Sequence, residues 1–293
     1  MATVATTAPV AGHGLPARQL GALSLWRRNP VLVIGIVLVA AVILVAALGG
    51  ALAPYNPTEN DYAVAVQAPS LAHPFGTDKF GRDQLSRVLV GARIDLSVGI
   101  VCTLLPMLIG VVVGCVAGYF GAKLDALFMR LVDIQVAFPF YVLLIAILAI
   151  LGPGLINMYY ALILVGWIAF ARLIRGEVLV AKKMEYVLAA RALGCSDVRI
   201  IARHLLPNII GPALVFAMSA VVLNILSGAS LGFLGLGVQA PNPEWGVMIA
   251  ESREYMTTAW WLPLFPGLAI AVVGVAFSLL GDGLSTLLRP RTR

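Results

Sequence analysis

Five windows of this sequence, residues 31–58, 96–122, 134–171, 204–243 and 255–281, contain no Asp, Glu, Lys or Arg. A helix needs about 20 apolar residues to cross a bilayer. An unpaired charge at the bilayer centre is expensive, so charge-free runs of this length mark membrane spans. Composition agrees: 60% of the 293 residues are hydrophobic and 12% charged, with a mean hydropathy of +0.96, which excludes a soluble domain of this size. The chain is predicted to be an all-α integral membrane protein. Its net charge of +6 does not point to nucleic acid, because the basic residues sit in short blocks beside apolar spans, where topology accounts for them.

The window at 134–171 is broken by Gly152-Pro153-Gly154 and reads as two helices joined by a tight turn. The window at 204–243 ends in GASLGFLGLGVQAPNP, rich in residues that weaken or end a helix, and reads as one helix followed by a loop. Six spans result. They put fifteen basic residues on one side (the N-terminus, the 119–130 loop, residues 172–208 and the C-terminus) against five on the other, which makes the first side cytosolic. A seventh span would move Arg289, Arg291 and Arg293 outside. Ala51-Leu52-Ala53 imitates a signal-peptidase site, but the 18 apolar residues at 31–48 exceed a signal core of about 7–15, so an uncleaved anchor is expected.

The resulting division is a mobile cytosolic tail at 1–24, a first span at 25–52 and an extracytoplasmic loop with a surface helix at 53–94. A membrane core at 95–288 and a cytosolic basic tail at 289–293 follow. Cys102 and Cys115 lie within a span and Cys195 in a polar segment, so no extracytoplasmic pair exists for a disulfide, and packing is expected for all three.

Residues 172–208 form a polar island with seven of the twenty Lys and Arg residues. A helix-like run at 177–193 is too polar to enter the bilayer and too patterned for a linker. Ala189, Ala190 and Ala192 permit close backbone approach, and Gly194 permits a sharp turn. Ser196 is placed to cap a second short helix, which Pro207 is expected to stop before the next span. The product is a helix, turn and helix with a compact knob at Gly194. Such a knob suits insertion into a groove on a cytosolic partner; the other reading is a solvated basic loop.

The stretch YVLAARALGCSDVRIIARHLLPN resembles the EAA loop of ABC importer permeases, with Ala189, Ala190, Gly194, Leu206 and Pro207 in register. GTDKFGRDQLSRVLVGARIDLSVGI at 76–100, AGYFGAKLDALFMRLVDI at 117–134 and GASLGFLGLGVQAPNPEWGVMI at 228–249 resemble C-type permease subunits of the dipeptide, oligopeptide and nickel family. The resemblance covers the chain from about residue 31 onward. It implies a type I ABC importer permease fold in a bacterial cytoplasmic membrane, with both termini cytosolic. It further implies that the chain binds no cofactor, ATP and Mg being held by two partner ATPase subunits. A second homologous permease and an extracytoplasmic solute-binding protein are the other implied partners, alongside membrane lipid. The island would then hold the coupling helix, with Tyr186, Ala189, Ala190, Gly194, Leu206 and Pro207 as coupling residues. Leu188 stands where the family pattern has Glu.

Asp78, Arg82, Asp83 and Arg87 recur at spacings that allow Asp78–Arg82 and Asp83–Arg87 pairs on a surface helix, each worth about 0.3–0.5 kcal/mol if exposed. In the family this region lies near the binding-protein docking surface, which makes Asp78, Arg82, Asp83 and Trp245 docking candidates. Trp245, Trp260 and Trp261 otherwise read as interfacial anchors. With no charge inside the spans, the solute path must be lined by uncharged groups, with Asn157, Ser219, Asn224 and Ser227 as candidates; helix packing accounts for them equally well. The lack of intramembrane charge also disfavours an ion-coupled carrier. Gly228-Ala229-Ser230-Leu231-Gly232 matches G-x-S-x-G, but the three His residues, at 13, 73 and 204, leave Ser230 without a base inside a span. No Walker lysine motif occurs. A transport subunit without chemistry of its own is expected.

Overall fold

The computed structural model describes residues 29–288; the tails at 1–24 and 289–293 and the start of the first predicted span lie outside them. The described residues form helices and connecting loops with no strand. Helix α1 (Pro30–Leu52) begins at Asn29, whose side chain accepts the Leu32 amide at 3.1 Å, and Pro30 supplies the first helical residue. The Asn29 amide also donates to the Gly283 carbonyl at 2.9 Å, fixing the start of α1 against the last helix.

A loop folded back on itself leads to α2 (Gln84–Phe120). This helix starts well before the predicted loop boundary at 94, because Asp83 caps it by accepting the Ser86 amide at 2.8 Å. Helices α3 (Ala122–Val136) and α4 (Phe140–Leu151) are bent by 88° across the Pro139 break. The chain then turns at Gly152-Pro153-Gly154, as the sequence predicts, into α5 (Leu155–Ala181).

Helices α2 and α5 meet along Gly110, Gly114 and Gly118, spaced one per helical turn. A Cβ built on Gly114 would stand 2.7 Å from the Ala171 carbonyl oxygen and 2.9 Å from Ile174 Cβ. Hydrocarbon offers little hydrophobic drive between helices, so such small-residue faces carry association through close backbone contact. Gly114→Leu is expected to force the pair apart at roughly 1–3 kcal/mol, lowering the yield of folded protein extracted from membranes. Wild-type yield and thermal midpoint would argue that the face is not critical.

The island differs from its predicted form. Helix α5 runs on to Ala181, and a separate α6 (Glu185–Ala192) follows a break at 182–184. Pro207 does not stop the second helix. A turn at Asp197–Arg199, a π-helical segment at Ile200–Leu205 and the span beginning at Leu206 run on as one 37-residue helix, Asp197–Phe233 (α7). Proline lacks an amide hydrogen and its ring collides with the carbonyl four residues back. The wider π turn just before it, in which Leu206 N–H reaches Ile201 O, accommodates both defects.

Helix α7 continues through Phe233, further than the predicted loop start, before the chain reaches α8 (Trp245–Glu251) and α9 (Trp261–Leu288). By length and apolar content α1, α2, α7 and α9 can each cross a membrane, and the bent pair α3–α4 makes a fifth candidate. Among the described residues the predicted count of six is not reached on these criteria: α5 is not one of the candidates, although its residues 155–171 carry no charge.

Candidate functional site

The island occupies one end of the helix bundle. Val187 and Ala190 of α6 and Ile200 and Leu205 of α7 are buried against Tyr119 and Cys115 of α2 and Ile174 and Val178 of α5. Of the predicted coupling residues, Ala190 faces this cluster, whereas Ala189, Gly194 and Pro207 are exposed and Tyr186 is 40% exposed; Leu206 is half-buried. Gly194 sits at φ +76° and closes a Schellman turn: its amide donates to Arg191 O at 3.0 Å and the Cys195 amide to Ala190 O at 3.1 Å. Ser196 precedes the next helix but makes no side-chain cap; its carbonyl accepts the Ile200 amide instead. Leu188, Leu193 and Val198 stand 51%, 85% and 74% exposed, an apolar crest on an otherwise basic projection. Leu188 therefore offers packing where the family pattern has a charge.

The opposite end holds a buried ion network that corrects the predicted exposed pairs. Arg82 Nε donates to Asp78 at 2.6 Å, and the Arg82 and Arg87 guanidinium groups both reach Glu251 Oε2, at 2.8 and 3.0 Å. Asp83 does not pair with Arg87: it caps α2 and meets His73 Nδ1 at 2.9 Å. The four predicted docking residues, Asp78, Arg82, Asp83 and Trp245, are only 6%, 3%, 2% and 2% exposed, so they build the fold and present no surface to a partner. Trp245 is likewise no interfacial anchor, since its indole N–H donates to Val88 O at 3.1 Å inside the core. Trp261 is also buried, leaving Trp260 exposed. Glu244 caps α8 through the amides of Gly246 and Val247, both at 2.8 Å. Burial pushes its carboxyl above the usual range, and those two amides partly oppose the rise.

A family model described as binding-protein-dependent transport system inner membrane component matches residues 110–293. The chain belongs to this family. A second model, the N-terminal TM domain of oligopeptide transport permease C, matches residues 22–74. The permease is 40% identical over 285 residues to the dipeptide transport system permease protein DppC of Alkalihalophilus pseudofirmus, covering 95% of this chain and 94% of the relative. It is 42% identical to the glutathione transport system permease protein GsiD of Pectobacterium atrosepticum, over 92% of this chain and 90% of the relative. To the probable D,D-dipeptide transport system permease protein DdpC of Escherichia coli it is 39% identical, over 92% of each chain.

Within this permease most of the predicted path residues are committed to packing. Asn224 donates to Cys102 O at 2.8 Å and to Thr103 at 2.9 Å. Cys102 O is the carbonyl that Pro106, lacking an amide hydrogen, leaves without its helical donor, so Asn224 repairs a defect in α2. Asn157 ties the turn at Leu151 and Gly152, and buried Ser227 bonds back to Leu223 O. Ser219 is exposed. An open groove of about 550 Å³ lies elsewhere, between Tyr141, Ile145, Leu226, Ser230, Phe233 and Ile249 among others, with no charged residue in its wall. Sequence reasoning missed it, although Leu226, Ser230 and Phe233 recur at helical spacing on one face of α7. The Ser230 hydroxyl is engaged within its own helix, donating to Leu226 O at 2.7 Å.

Proposed function

We propose that this permease moves di- or oligopeptides into the bacterial cytoplasm by alternating access, as one of two homologous permease subunits in an ATP-driven importer. The island faces the cytosol with both termini and engages one of two ATPase subunits, which hold ATP and Mg. An extracytoplasmic binding protein delivers solute at the other end. Helix α5 completes six crossings and the type I importer fold, its charged last turns projecting into the cytosol.

The observation that carries this reading is the continuity of Asp197–Phe233. The limb beyond the exposed knob is the end of the helix that borders the uncharged groove, so a push on the knob turns the groove wall without an intervening joint. Peptide cargo is supported by the relatives, which include dipeptide, D,D-dipeptide and glutathione transport permeases. An uncharged wall also suits solutes with varied side chains.

The test is uptake of a labelled dipeptide into vesicles carrying this permease, its partner permease and both ATPases. Accumulation is expected only with ATP inside the compartment of the ATPases and the binding protein outside. Uptake driven by an ion gradient without ATP would overturn the proposal.

A further inference from the structure

Resting on that reading, we propose that Tyr119 is a positioning residue of the coupling device, which locks both limbs of the island to α2 so that α2 moves with α7. Tyr119 is the penultimate residue of α2 and is 7% exposed. Its hydroxyl donates to Asp197 Oδ1 at 2.6 Å and accepts from an Arg191 guanidinium nitrogen at 3.1 Å. The same guanidinium lies 5.5 Å from the ring centroid. Arg191 belongs to α6, before the Gly194 turn, and Asp197 opens α7, after it. One hydroxyl therefore gathers both limbs at the base of the knob.

Packing alone would not fix this relation. The surrounding cluster of Val187, Ala190, Ile200 and Cys115 is held by hydrophobic burial, which is non-directional and tolerates sliding of one surface over another. A phenol bonded on one side to a carboxylate and on the other to a guanidinium has charge-assisted, directional bonds, and these set register. Lys182 strengthens the same junction by donating to Gly118 O at 2.7 Å. Its side chain comes from the C-cap of α5, so α5, α6 and α7 all meet the last turn of α2.

The consequence reaches the far end of the molecule. Helix α2 begins beside the Arg82, Arg87 and Glu251 network that grips α8 and ends at Tyr119. A displacement of the island carried through Tyr119 would arrive at α8 along one continuous helix. It would also run in reverse, from a binding protein docked at the α8 end to the ATPases, as linkage between two sites requires.

The experiment compares the full reconstituted importer with wild-type permease, Tyr119→Phe, Asp197→Asn and, as reference, Gly194→Trp. Tyr119→Phe keeps the ring and removes only the hydroxyl; Asp197→Asn keeps an acceptor oxygen. The readouts are peptide moved per ATP hydrolysed, the stimulation of hydrolysis by loaded binding protein, and thermal midpoint. Tyr119→Phe is expected to lower the first two by roughly fivefold or more with the midpoint and complex assembly retained, and Asp197→Asn, which keeps an acceptor but loses the charge, to lower them by less than Tyr119→Phe does.

Gly194→Trp uncoupled with Tyr119→Phe fully coupled would overturn the role of Tyr119 alone. Neither variant uncoupled would overturn the coupling reading on which it rests. A Tyr119→Phe complex that fails to assemble, or loses hydrolysis and uptake in equal proportion, would show a structural role and also overturn the proposal.

Discussion

Gly194→Trp is expected to uncouple ATP hydrolysis from peptide uptake while the permease still inserts and folds. Among the described residues, nothing beyond its own chain neighbours lies within 4 Å of a Cβ built on Gly194, so a side chain placed there starts into open space. It would instead occupy the space in which a partner cleft closes on the knob. An allosteric coupling of about 1–3 kcal/mol corresponds to a change of roughly 5- to 150-fold, and uptake per ATP should fall within that range. The positive φ of +76° adds about 1–2 kcal/mol of backbone strain for an ordinary residue. Gly194→Asn separates the two effects, because Asn tolerates this conformation and is small. Gly194→Asn should retain coupling, whereas Gly194→Trp should lose it. Full coupling in the Trp variant would sink the assignment of the island.

Glu251→Leu should destabilise the fold more than any other single change considered. Arg82 and Arg87 are 3% and 1% exposed in their side chains, and Glu251 Oε2 is the shared acceptor between them. Asp78 supplies the other negative charge, at 2.6 Å from Arg82 and 3.6 Å from Arg87. The four groups balance as two positive and two negative. Removing Glu251 leaves a buried positive excess, and breaking a buried pair in this way costs about 3–5 kcal/mol. The thermal midpoint in detergent should fall by on the order of 5–15 °C. The effect should be visible without ATPase subunits, since the network lies within this chain. A midpoint within a degree or two of wild type would mean that the network contributes little.

The two ends of the molecule differ in how far their sequence could be read. The island was legible because its signals are local: seven basic residues, a Gly at a turn and a Pro at a helix start are chemical facts within 37 residues. The Gly194 turn and the knob follow from them. What local reading got wrong there was continuity, since Pro207 normally ends a helix, and only the π-helical segment at Ile200–Leu205 lets the helix pass through it. The glycine face at 110, 114 and 118 was equally local, and its one-turn spacing could have been recognised as a packing surface.

At the other end, spacing suggested Asp83–Arg87 and an exposed surface helix. The partner that decides the matter, Glu251, lies 164 and 169 residues from Arg87 and Arg82, beyond any local pattern. Asn224 teaches the same lesson: a polar residue on a span can face a path or repair a neighbour, and its contact with Cys102 O selects the second.

By itself the sequence determined the membrane class, the apolar helical segments and the position of the basic projection. Hydropathy, charge and chain-breaking residues act on segments, and segments are contiguous. Tertiary structure alone decided which charges are buried together, which polar side chains are committed to packing, where the groove lies, and that Tyr119 joins both limbs of the island. Those are relations between residues distant in the chain, and burial converts a solvated surface charge into a structural partner only when its counter-charge is brought beside it.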